Sequence, residues 1–469
     1  MGGASPRNIL WVTIDSVRAD RTTMGGYDRD TTPNLHRIAD EGDGDWFNTC
    51  IAQTRWTPAS TASILTGTYL STHGVGIESP EVSRLPESLR TMPEILSERG
   101  YESLGLTRNQ YICSATGLDR GFDEFAFPKP GNLHRSVGIG AVLDYALNVG
   151  RYGPGLSLTR RRHNVSSMIT HRAKRWASST ADEETPVFLY LHYNETHYPY
   201  TPPDRFLKPY ADEIGQSVDE VLERSWSVFE DVFDLVAHDL PLDGADMAAI
   251  QAAYDAELAY LDSLVGELFD HVRENLPGET ILVVTSDHGE TFGEHGWLGH
   301  HVLLTDELLH VPMVVHGLPE ATDSTDGSVQ HVDFTRTILE TVGAESDQFE
   351  GVDLAESERE YAIAQRASRE GDREKLLDRN PAFDVDRYRW GPLNCIHDGQ
   401  YKYVSGQAES ELFELPDETT DRSDELPDLA AQMNAELTER MPTFATRGGG
   451  ERVQFTDEMQ RRLEDMGYV

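Results

Sequence analysis

The sequence predicts an α/β fold, with a doubly wound parallel sheet in the main domain and a smaller α+β subdomain at the C-terminal end. Two runs, "NILWVTID" at residues 8–15 and "ETILVVTSDHGE" at residues 279–290, are apolar and β-branched and end in polar side chains, as expected of buried parallel strands. Helical patterns lie between such runs, and this alternation is typical of the fold. After about residue 350 the sequence becomes more polar and then shows short strand-like patterns, which indicates a smaller second unit.

Further runs fit the same pattern. The run "PVFLYLHYNETHYPY" at residues 186–200 again ends in polar side chains, and "VPMVVHG" at residues 311–317 is short and apolar. Apolar residues recur every three or four positions in predicted helices at residues 32–42, 89–100 and 248–272. Because ligands of doubly wound sheets bind beyond the carboxyl ends of the strands, Asp15 and Asp287 are the first candidate functional residues.

We therefore predict a main α/β domain over residues 1–350 and a small α+β subdomain over residues 351–469. In the subdomain, "NCIHDGQYKYVSGQAESELFELPDE" predicts two strands around Gly399 and a turn near Gly406. The last stretch, "TDEMQRRLEDMGYV", predicts a closing helix.

The chain is strongly acidic. Its 81 acidic residues against 40 basic residues give a formal net charge of -41, spread along the chain, which argues against a nucleic-acid binder. Two interpretations remain open: adaptation to concentrated salt, where surface carboxylates keep a protein hydrated and soluble, or an acidic face for one partner. The even spread of the charge and the low apolar share of 38% favour the first, so we expect a halophilic protein.

The cysteines and the start of the chain bear on the compartment. Cys50, Cys113 and Cys395 are far apart and form no CxxC pair, so we expect free thiols in a reducing compartment. The first twenty residues do not resemble a secretion signal, and no run of eighteen apolar residues occurs. These features predict a soluble, cytoplasmic protein.

Residues 131–180 differ from the rest of the chain in charge. They contain eight Lys or Arg residues and a single acid, Asp144, a local charge of +7. One interpretation is a helical insertion whose arginines pair with acidic neighbours. The other is a basic lid over an anionic substrate, or a patch that contacts a lipid headgroup surface.

The stretch "QTRWTPASTASILTG" at residues 53–67 predicts a short helix. Pro58 suits the first helical position, so Thr57 is the predicted N-cap and Gly67 the C-terminal stop. Thr57 can be a cap and nothing more. A hydroxyl at a helix N-terminus also faces unpaired N–H groups and the positive end of the helix dipole, which suits a tetrahedral anion and an oxygen that must lose its proton.

A metal site would give that hydroxyl the activation it needs. Asp287 and His288 are adjacent at a strand end and can ligate one ion if the chain turns there, as Gly289 permits. With Asp15 and the Thr57 hydroxyl they make a plausible four-ligand site, whose metal would lower the pKa of the threonine and bind ester oxygens. Carboxylate, imidazole and hydroxyl ligands suit Mn²⁺, Zn²⁺, Mg²⁺ or Ca²⁺.

Four histidines cluster near these strand ends. His295 and His300 lie in "GEHGWLGHH", and His192 and His197 lie in "LHYNETHYPY". Each one alone fits a structural role, but four together predict at least one functional role, such as a proton donor to a leaving oxygen.

Seven stretches follow one another along the chain: "NILWVTIDSVRAD", "TTPNLHRIADEG", "TPASTASILTGTYLSTHGVG", "RGFDEF", "FLYLHYNETHYPYTPP", "TSDHGETFGEHGWLGHH" and "VPMVVHG". In content and order they resemble the sulfatase family of the alkaline phosphatase superfamily. The late stretches "DGQYKYV", "ELFEL" and "LEDMGYV" extend the resemblance over most of the chain. It implies an alkaline-phosphatase-like central sheet, a smaller C-terminal domain, and a divalent metal that positions a sulfate or phosphate ester for in-line attack.

The resemblance also implies roles for individual residues. Matched motif by motif, they are Asp15, Asp287 and His288 as metal ligands, Thr57 at the nucleophile position, His197 and His300 as substrate-binding residues, and Arg108 as the counterpart of a family lysine.

Three positions depart from the family pattern. Sulfatases carry a cysteine or serine within C-x-P-S-R that is oxidised to formylglycine, whereas this chain has Thr57 in "TPAST", and threonine cannot form that aldehyde. Thr61 replaces the arginine of that motif, and Ser16 replaces the second aspartate of the N-terminal pair. The loss of an acidic ligand favours one metal over two.

Three functions follow as hypotheses. The first is a metal-dependent hydrolase or transferase in which Thr57 attacks a sulfate or phosphate ester and His197 or His300 protonates the leaving group. A threonine nucleophile is similar to that of the phosphodiesterase, phosphonate hydrolase and phosphoglycerol transferase branches, while a sulfate-ester hydrolase without formylglycine is the alternative within the family. A non-catalytic anion-binding protein is the third hypothesis.

Overall fold

A computed structural model of the chain describes residues 7–77, 82–129, 132–153, 163–182, 184–324, 327–344, 347–407, 409–441 and 453. The strands of this part of the chain are β1 (Asn8–Ile14), β2 (Gly44–Trp46), β3 (Cys50–Ile51), β4 (Glu102–Thr107), β5 (Glu124–Ala126), β6 (Val187–Tyr193), β7 (Thr280–Thr285), β8 (His310–Val311), β9 (Met313–His316), β10 (Ala362–Arg366), β11 (Leu393–His397), β12 (Tyr401–Ser405) and β13 (Ser410–Glu414).

The α-helices follow in the same way. They are α1 (Pro33–Asp40), α2 (Thr57–Thr66), α3 (Leu70–His73), α4 (Met92–Ser97), α5 (Leu133–Ser136), α6 (Ile139–Leu147), α7 (Val149–Tyr152), α8 (Ser166–Thr180), α9 (Asp204–Glu213), α10 (Val218–Val228), α11 (Val232–Ala237), α12 (Gly244–Asn275), α13 (Asp306–Leu309), α14 (His331–Thr341), α15 (Glu370–Arg379) and α16 (Pro427–Arg440).

A seven-stranded sheet forms the centre of the fold. Its strand order is β2-β9-β7-β1-β6-β4-β5. Strands β7, β1, β6, β4 and β5 pair in parallel, and β9 runs antiparallel to both β7 and β2. Because β1 lies between β7 and β6, the carboxyl ends of these three strands meet at one edge of the sheet.

Both faces of the sheet are covered by helices. Along β1, Trp11 packs into a core cluster with residues of α2, α4 and α14, whereas Leu10 and Val12 pack into a second cluster with residues of α8 and α12. Successive side chains of a strand point to opposite faces, so a strand buried on both faces must be apolar throughout. This explains the apolar run at residues 9–12 of β1.

The C-terminal part of the chain forms a four-stranded antiparallel sheet in the order β10-β11-β12-β13. Gly399 lies in the turn between β11 and β12 with a φ of 95°, a left-handed conformation that glycine adopts without strain. Gly406 lies in the next turn, where its N–H donates to the carbonyl of Glu409. The buried Lys402 on β12 forms ion pairs with Asp306 and Glu418.

The predicted fold class is confirmed by this mostly parallel sheet and small C-terminal antiparallel sheet. The predicted strands at residues 8–15, 186–200, 279–290 and 311–317 are present as β1, β6, β7 and β9, although β9 is antiparallel, and the predicted helices correspond to α1, α4 and α12. The division at residue 350 stays a prediction. The helix predicted from "TDEMQRRLEDMGYV" lies outside the described residues.

Among the described residues, no helix has both the length and the apolar character that crossing a bilayer requires.

Candidate functional site

Polar side chains converge at the carboxyl edge of the central sheet. Asp15 directly follows β1, His192 lies near the end of β6, and Asp287 and His288 follow β7. All four side chains are completely buried. The parallel register of β1 with β6 and β7 therefore brings residues that are far apart in the chain to one place.

Two carboxylates and two imidazoles form the centre of this site. His192 Nε2 lies 3.5 Å from Asp15 Oδ2 and 3.9 Å from Asp287 Oδ2. His288 Nε2 lies 3.7 Å from Asp15 Oδ1 and 3.6 Å from Asp287 Oδ2. One donor atom from each of Asp15, His192 and Asp287 lies within 4.8 Å of the others, so these residues are close enough to share one ion.

The environment of the carboxylates fits a bound cation. Asp287 Oδ2 is buried and has no hydrogen-bond partner among the described residues. Burial, followed by repulsion from Asp15, raises the pKa of Asp287. Burial also acts to raise the pKa of Asp15, but the hydrogen bond with His192 and the charges of nearby histidines hold it well below its usual range. Two buried carboxylates at this distance repel each other, and a divalent cation would remove that repulsion.

Ser16 connects the two carboxylates. Its N–H donates to Asp287 Oδ1 at 3.1 Å, and its hydroxyl donates to Asp15 Oδ1 at 2.9 Å. Its backbone is left-handed, with a φ of 58°, which is uncommon for a residue with a Cβ. The residue at the position of the missing second aspartate therefore holds both remaining carboxylates through hydrogen bonds.

Two asparagines also bind Asp15 and were not predicted from the sequence. The Nδ2 groups of Asn194 and Asn109 donate to Asp15 Oδ2 at 2.8 and 3.2 Å. Asn194 follows β6 and Asn109 lies two residues after β4, so the rule that located Asp15 and Asp287 also applies to them. His192 was one of the four clustered histidines but was not among the predicted metal ligands.

Thr57 lies beside this cluster. Its Oγ1 is 3.3 Å from His288 Nε2, and the threonine is fully buried. The prediction that Thr57 is the N-cap was wrong: the cap is Trp56, and α2 begins at Thr57 itself, because Trp56 still has an extended backbone. Gly67 ends the helix with a φ of 67°, as predicted.

The first turn of α2 offers fewer free donors than the sequence suggested. The N–H groups of Ala59 and Ser60 both donate to the carbonyl of Trp56, at 3.1 and 3.0 Å, and Pro58 has no N–H. The helix therefore acts on Thr57 chiefly through the positive end of its dipole.

His288 is held in a defined orientation. Its Nδ1 donates to the carbonyl of Gly289 at 2.8 Å, and this hydrogen bond turns Nε2 toward Thr57 and the carboxylates. Glycine is needed at position 289 because the main chain of Glu307 packs directly against it: a Cβ there would lie 2.0 Å from the carbonyl oxygen of Glu307. The backbone of Gly289 itself is not left-handed.

The two predicted substrate-binding histidines lie next to His288. The ring centroids of His300 and His288 are 4.3 Å apart, and those of His197 and His300 are 5.0 Å apart. His197 Nδ1 donates to the carbonyl of Tyr198 at 2.6 Å, and His300 Nδ1 is 3.2 Å from Glu290 Oε1. Burial lowers the pKa of both histidines.

Arg108 follows β4 directly and is half-buried. Its neighbour Asn109 reaches Asp15, which places this end of β4 beside the site. The role predicted for Arg108 stays a prediction. His295 lies in the same stretch of chain before His300, and its Nε2 is 3.6 Å from Glu307 Oε2.

The site is thus a buried cluster of carboxylates and imidazoles at the carboxyl edge of an α/β sheet, with a hydroxyl at a helix N-terminus beside it. This arrangement is the one expected of a metal-dependent enzyme of the sulfatase family. The sulfatase family model matches residues 7–344, and the chain belongs to this family of the alkaline phosphatase superfamily.

Comparison with curated proteins gives individual relatives. The chain is 25% identical over 318 residues to the arylsulfatase of Klebsiella aerogenes, a match that covers 61% of this chain and 66% of that protein. It is 39% identical over 95 residues to the low-salt glycan biosynthesis sulfotransferase of Haloferax volcanii, covering 19% of this chain and 23% of that protein. The chain thus spans slightly less than two thirds of the length of the arylsulfatase.

Solved structures share the fold. A protein in complex with its substrate D-glucosamine-2-N,6-O-disulfate superposes with a TM-score of 0.68 at 18% identity, covering 95% of this chain and 99% of that chain. The phosphonate monoester hydrolase of Agrobacterium radiobacter also has a TM-score of 0.68 at 18% identity, covering 92% of this chain and 95% of that chain.

Proposed function

We propose that the protein is a metal-dependent enzyme that cleaves or transfers a sulfate or phosphate ester through Thr57. The observation that carries this proposal is the position of Thr57 Oγ1, 3.3 Å from His288 Nε2 at the edge of a buried cluster of two carboxylates and two imidazoles. The family membership supports the class of ester, and the names of the relatives support a sulfate ester in particular.

Asp15, Asp287, His192 and His288 are the residues that would hold the metal. A divalent cation bound there would lower the pKa of the threonine hydroxyl and neutralise charge on the ester oxygens. The donor set of carboxylates and imidazoles suits Mn²⁺, Zn²⁺, Mg²⁺ or Ca²⁺, and the one such cluster among the described residues supports one ion.

The chain's own residues supply the remaining functions. The positive end of the α2 dipole favours negative charge at Thr57 Oγ1. His300 is the better placed proton donor for the leaving oxygen, because its Nδ1 lies 3.2 Å from Glu290 Oε1 and this contact fixes the orientation of the ring. His197 lies beside His300 and contacts the substrate.

Transfer to an acceptor is the second candidate function. The relative from Haloferax volcanii is named as a sulfotransferase, and its 39% identity is higher than that of the arylsulfatases, although over only 95 residues. Both functions share the first step, in which Thr57 becomes esterified and the leaving group takes a proton. They differ in whether water or an acceptor alcohol then releases the group.

The experiment compares wild type, Thr57→Ala and Thr57→Ser in high salt with added Mg²⁺, Mn²⁺, Ca²⁺ or Zn²⁺. The substrates are 4-nitrophenyl sulfate, 4-nitrophenyl phosphate, bis(4-nitrophenyl) phosphate and 4-nitrophenyl phenylphosphonate. We expect wild type to cleave at least one ester, and Thr57→Ala to lower kcat by about 10³-fold or more, because the attacking oxygen is lost. Thr57→Ser, which keeps the hydroxyl, retains more activity.

Intact-protein mass spectrometry after rapid quenching should show a sulfuryl or phosphoryl adduct that maps to Thr57. An added alcohol that increases the rate of 4-nitrophenol release and appears as a sulfated or phosphorylated product would support transfer. Equal activity of wild type and Thr57→Ala would exclude the proposed nucleophile. Binding of these esters without turnover under all four metals would favour a non-catalytic anion-binding protein.

A further inference from the structure

Three buried arginines lie beside the proposed catalytic residues. Arg55, Arg366 and Arg369, which we call the arginine cluster, are 4%, 1% and 8% exposed. Arg55 precedes α2 by two residues, Arg366 ends β10, and Arg369 lies just before α15. Fully buried arginines are rare in proteins unless they are paired, so a group of three requires an explanation.

Backbone contacts bring the cluster together at the site. The N–H of Gln365 donates to the carbonyl of Gln53 at 2.9 Å, which places β10 alongside the segment that leads to Thr57. The guanidinium of Arg55 donates to the carbonyl of His300. The cluster therefore reaches the main chain of His300, one of the residues of the proposed site.

The cluster has an excess of positive charge. Arg369 forms an ion pair with Asp372, and Lys375 approaches the same carboxylate at 3.8 Å. Arg366 Nη2 donates to the carbonyls of Arg389 and Gly391. Asp372 is thus shared by several cations, and burying a cation without a counter-charge is unfavourable.

Several donors of the cluster are also unused. Arg55 Nε and Arg366 Nε and Nη1 are buried and have no hydrogen-bond partner among the described residues. Burial and repulsion from Arg369 lower the pKa of Arg366 to about 9. Burial and the other two arginines also lower the pKa of Arg55. An oxyanion would both satisfy these donors and balance the charge.

We propose that the arginine cluster binds a second anionic group of the substrate, on the leaving-group side of the ester that Thr57 attacks. The inference rests on the proposed function and specifies its substrate class: a sulfate or phosphate ester whose leaving group bears a further sulfate, phosphate or carboxylate. Planar guanidinium groups bind such oxyanions with two hydrogen bonds each. On α2, Thr61 stands where the family motif has an arginine, so this helix carries no guanidinium group at that position.

A binding experiment tests the cluster without catalysis. The Tm is measured for wild type, Arg55→Gln and Arg366→Gln, in the presence of benzenesulfonate or 1,3-benzenedisulfonate at constant KCl. We expect the disulfonate to raise the Tm of wild type more than the monosulfonate does, and each variant to lose most of this difference. Arg379→Gln, which removes a surface arginine paired with Asp231, should behave as wild type. Equal shifts with both anions in wild type would overturn the proposal, whether or not a variant folds.

A kinetic experiment separates the two proposals. The 4-nitrophenyl ester that wild type cleaves is compared with its analogue bearing a carboxylate on the ring. We expect wild type to have a higher kcat/KM for the carboxylated ester, and Arg55→Gln or Arg366→Gln to lower that ratio by about 10- to 100-fold. A ratio near one in wild type would overturn the cluster proposal and leave the Thr57 proposal intact. If the arginine variants lose the preference for the carboxylated ester but Thr57→Ala keeps full activity, the cluster proposal stands and the Thr57 proposal is overturned.

A separate observation concerns the basic segment. Ile139, Leu143 and Leu147 on α6 are 65%, 57% and 85% exposed, and they are the exposed large hydrophobic residues of the described chain. Their spacing of four residues places them along one side of a helix. We call these three side chains the α6 stripe.

The charges around the stripe are mostly basic, although Asp144 lies on α6 itself, with its Oδ2 3.8 Å from His171 Nδ1. Arg135 lies on α5, and Arg175 of α8 approaches α6 so closely that a Cβ on Gly140 would lie 2.6 Å from its Nη1. Pairing with acids, the first interpretation of this segment, does hold for three residues: Arg151 and Lys174 pair with Glu267, and Arg172 pairs with Glu124. Arg160, Arg161 and Arg162 lie outside the described residues.

We infer that the α6 stripe contacts an anionic lipid surface. An exposed apolar stripe bordered by basic residues is what interfacial helices present to lipid headgroups, and this segment is the basic exception in a chain of net charge -41. This basic charge favours an anionic lipid surface over a neutral one.

The test is flotation with vesicles of phosphatidylglycerol or phosphatidylcholine. We expect binding to phosphatidylglycerol that falls about tenfold in Leu143→Gln/Leu147→Gln and falls in Arg135→Gln, whereas Arg205→Gln on α9 binds as wild type. No binding to phosphatidylglycerol, or binding unchanged in the leucine variant, would overturn the inference. Self-association that disappears in the leucine variant, without vesicle binding, would assign the stripe to a second copy of the chain.

Discussion

At the scale of single residues, the site is held by side chains that do not themselves need to react. Asn109 and Asn194 donate to one oxygen of Asp15, and Ser16 donates to the other. Such partners fix the orientation of a carboxylate and so determine where its remaining lone pairs point. Ser16 does this from a left-handed backbone, and strained residues of this kind concentrate at functional sites.

His192 gives a test of the metal site at this scale. Its Nε2 is within reach of both carboxylates, so we expect His192→Ala to weaken binding of the preferred divalent metal by at least about tenfold. Titration calorimetry on metal-stripped protein measures the affinity, and metal analysis after dialysis checks the content. His36→Ala, at an exposed position on α1, is the matched control. Equal affinity in wild type and His192→Ala would remove this residue from the site.

The apolar runs identified Asp15 and Asp287 but not the asparagines that bind Asp15. Asp15 and Asp287 stand out because apolar runs precede them. Asn109 does not, because β4, "ESLGLT", begins with a charge and contains a glycine that packs against Phe125. His192 lies inside a strand, where periodicity predicts burial but does not indicate that its neighbours across the sheet are carboxylates.

At the scale of elements, α12 organises the start of α1. The N-cap Thr32 makes no side-chain cap to α1. Instead Asp262 of α12 accepts hydrogen bonds from the N–H groups of Asn34 and Leu35 at 3.0 and 2.8 Å and from Asn34 Nδ2 at 2.7 Å. A buried carboxylate from a distant helix therefore satisfies the free donors of the first turn.

This cap predicts a pH effect. Burial raises the pKa of Asp262 to about 6, although the hydrogen bonds from Asn34 and Leu35 oppose the shift. The pKa of an unfolded aspartate is about 3.9, so the folded state binds the proton more tightly and this group's contribution to stability falls as pH rises through the window between the two values. From about pH 5 to about pH 7 we expect the free energy of unfolding of wild type, relative to Asp262→Asn, to fall by about 1 kcal/mol.

Urea unfolding at constant salt measures this difference. Asp219→Asn, an exposed carboxylate on α10, controls for the loss of one negative charge. A difference between wild type and Asp262→Asn that stays constant or increases over this pH range would contradict the prediction.

Element type was easier to predict than element boundaries and directions. Periodicity located β1, β6, β7 and α12, because each has a long, regular apolar pattern. It could not show that β9 is antiparallel, since a short apolar strand looks the same in both directions. Nor could it place the start of α2 at Thr57, because a Thr-Pro pair fits both a cap and a first turn.

At the scale of the whole molecule, the negative charge is the dominant feature. The chain has 81 acidic and 40 basic residues, so most basic side chains can pair and many acids cannot. Buried ion pairs such as that of Arg359 with Asp333 respond little to salt, whereas repulsion among exposed carboxylates is screened by it. The halophilic character expected from the sequence stays a prediction.

Salt should therefore stabilise the folded chain. Raising KCl from about 0.1 M to about 1 M shortens the screening length from about 10 Å to about 3 Å, which weakens both surface ion pairs and surface repulsion. Because acids outnumber bases by 41, repulsion is the larger of the two, and we expect the Tm to rise steadily over this range. Calorimetry in KCl measures it, and sucrose at matched osmolality separates screening from preferential exclusion. A Tm that falls with KCl would mean that attractive pairs dominate the surface, and that the acidity serves one face and one partner instead of solubility in salt.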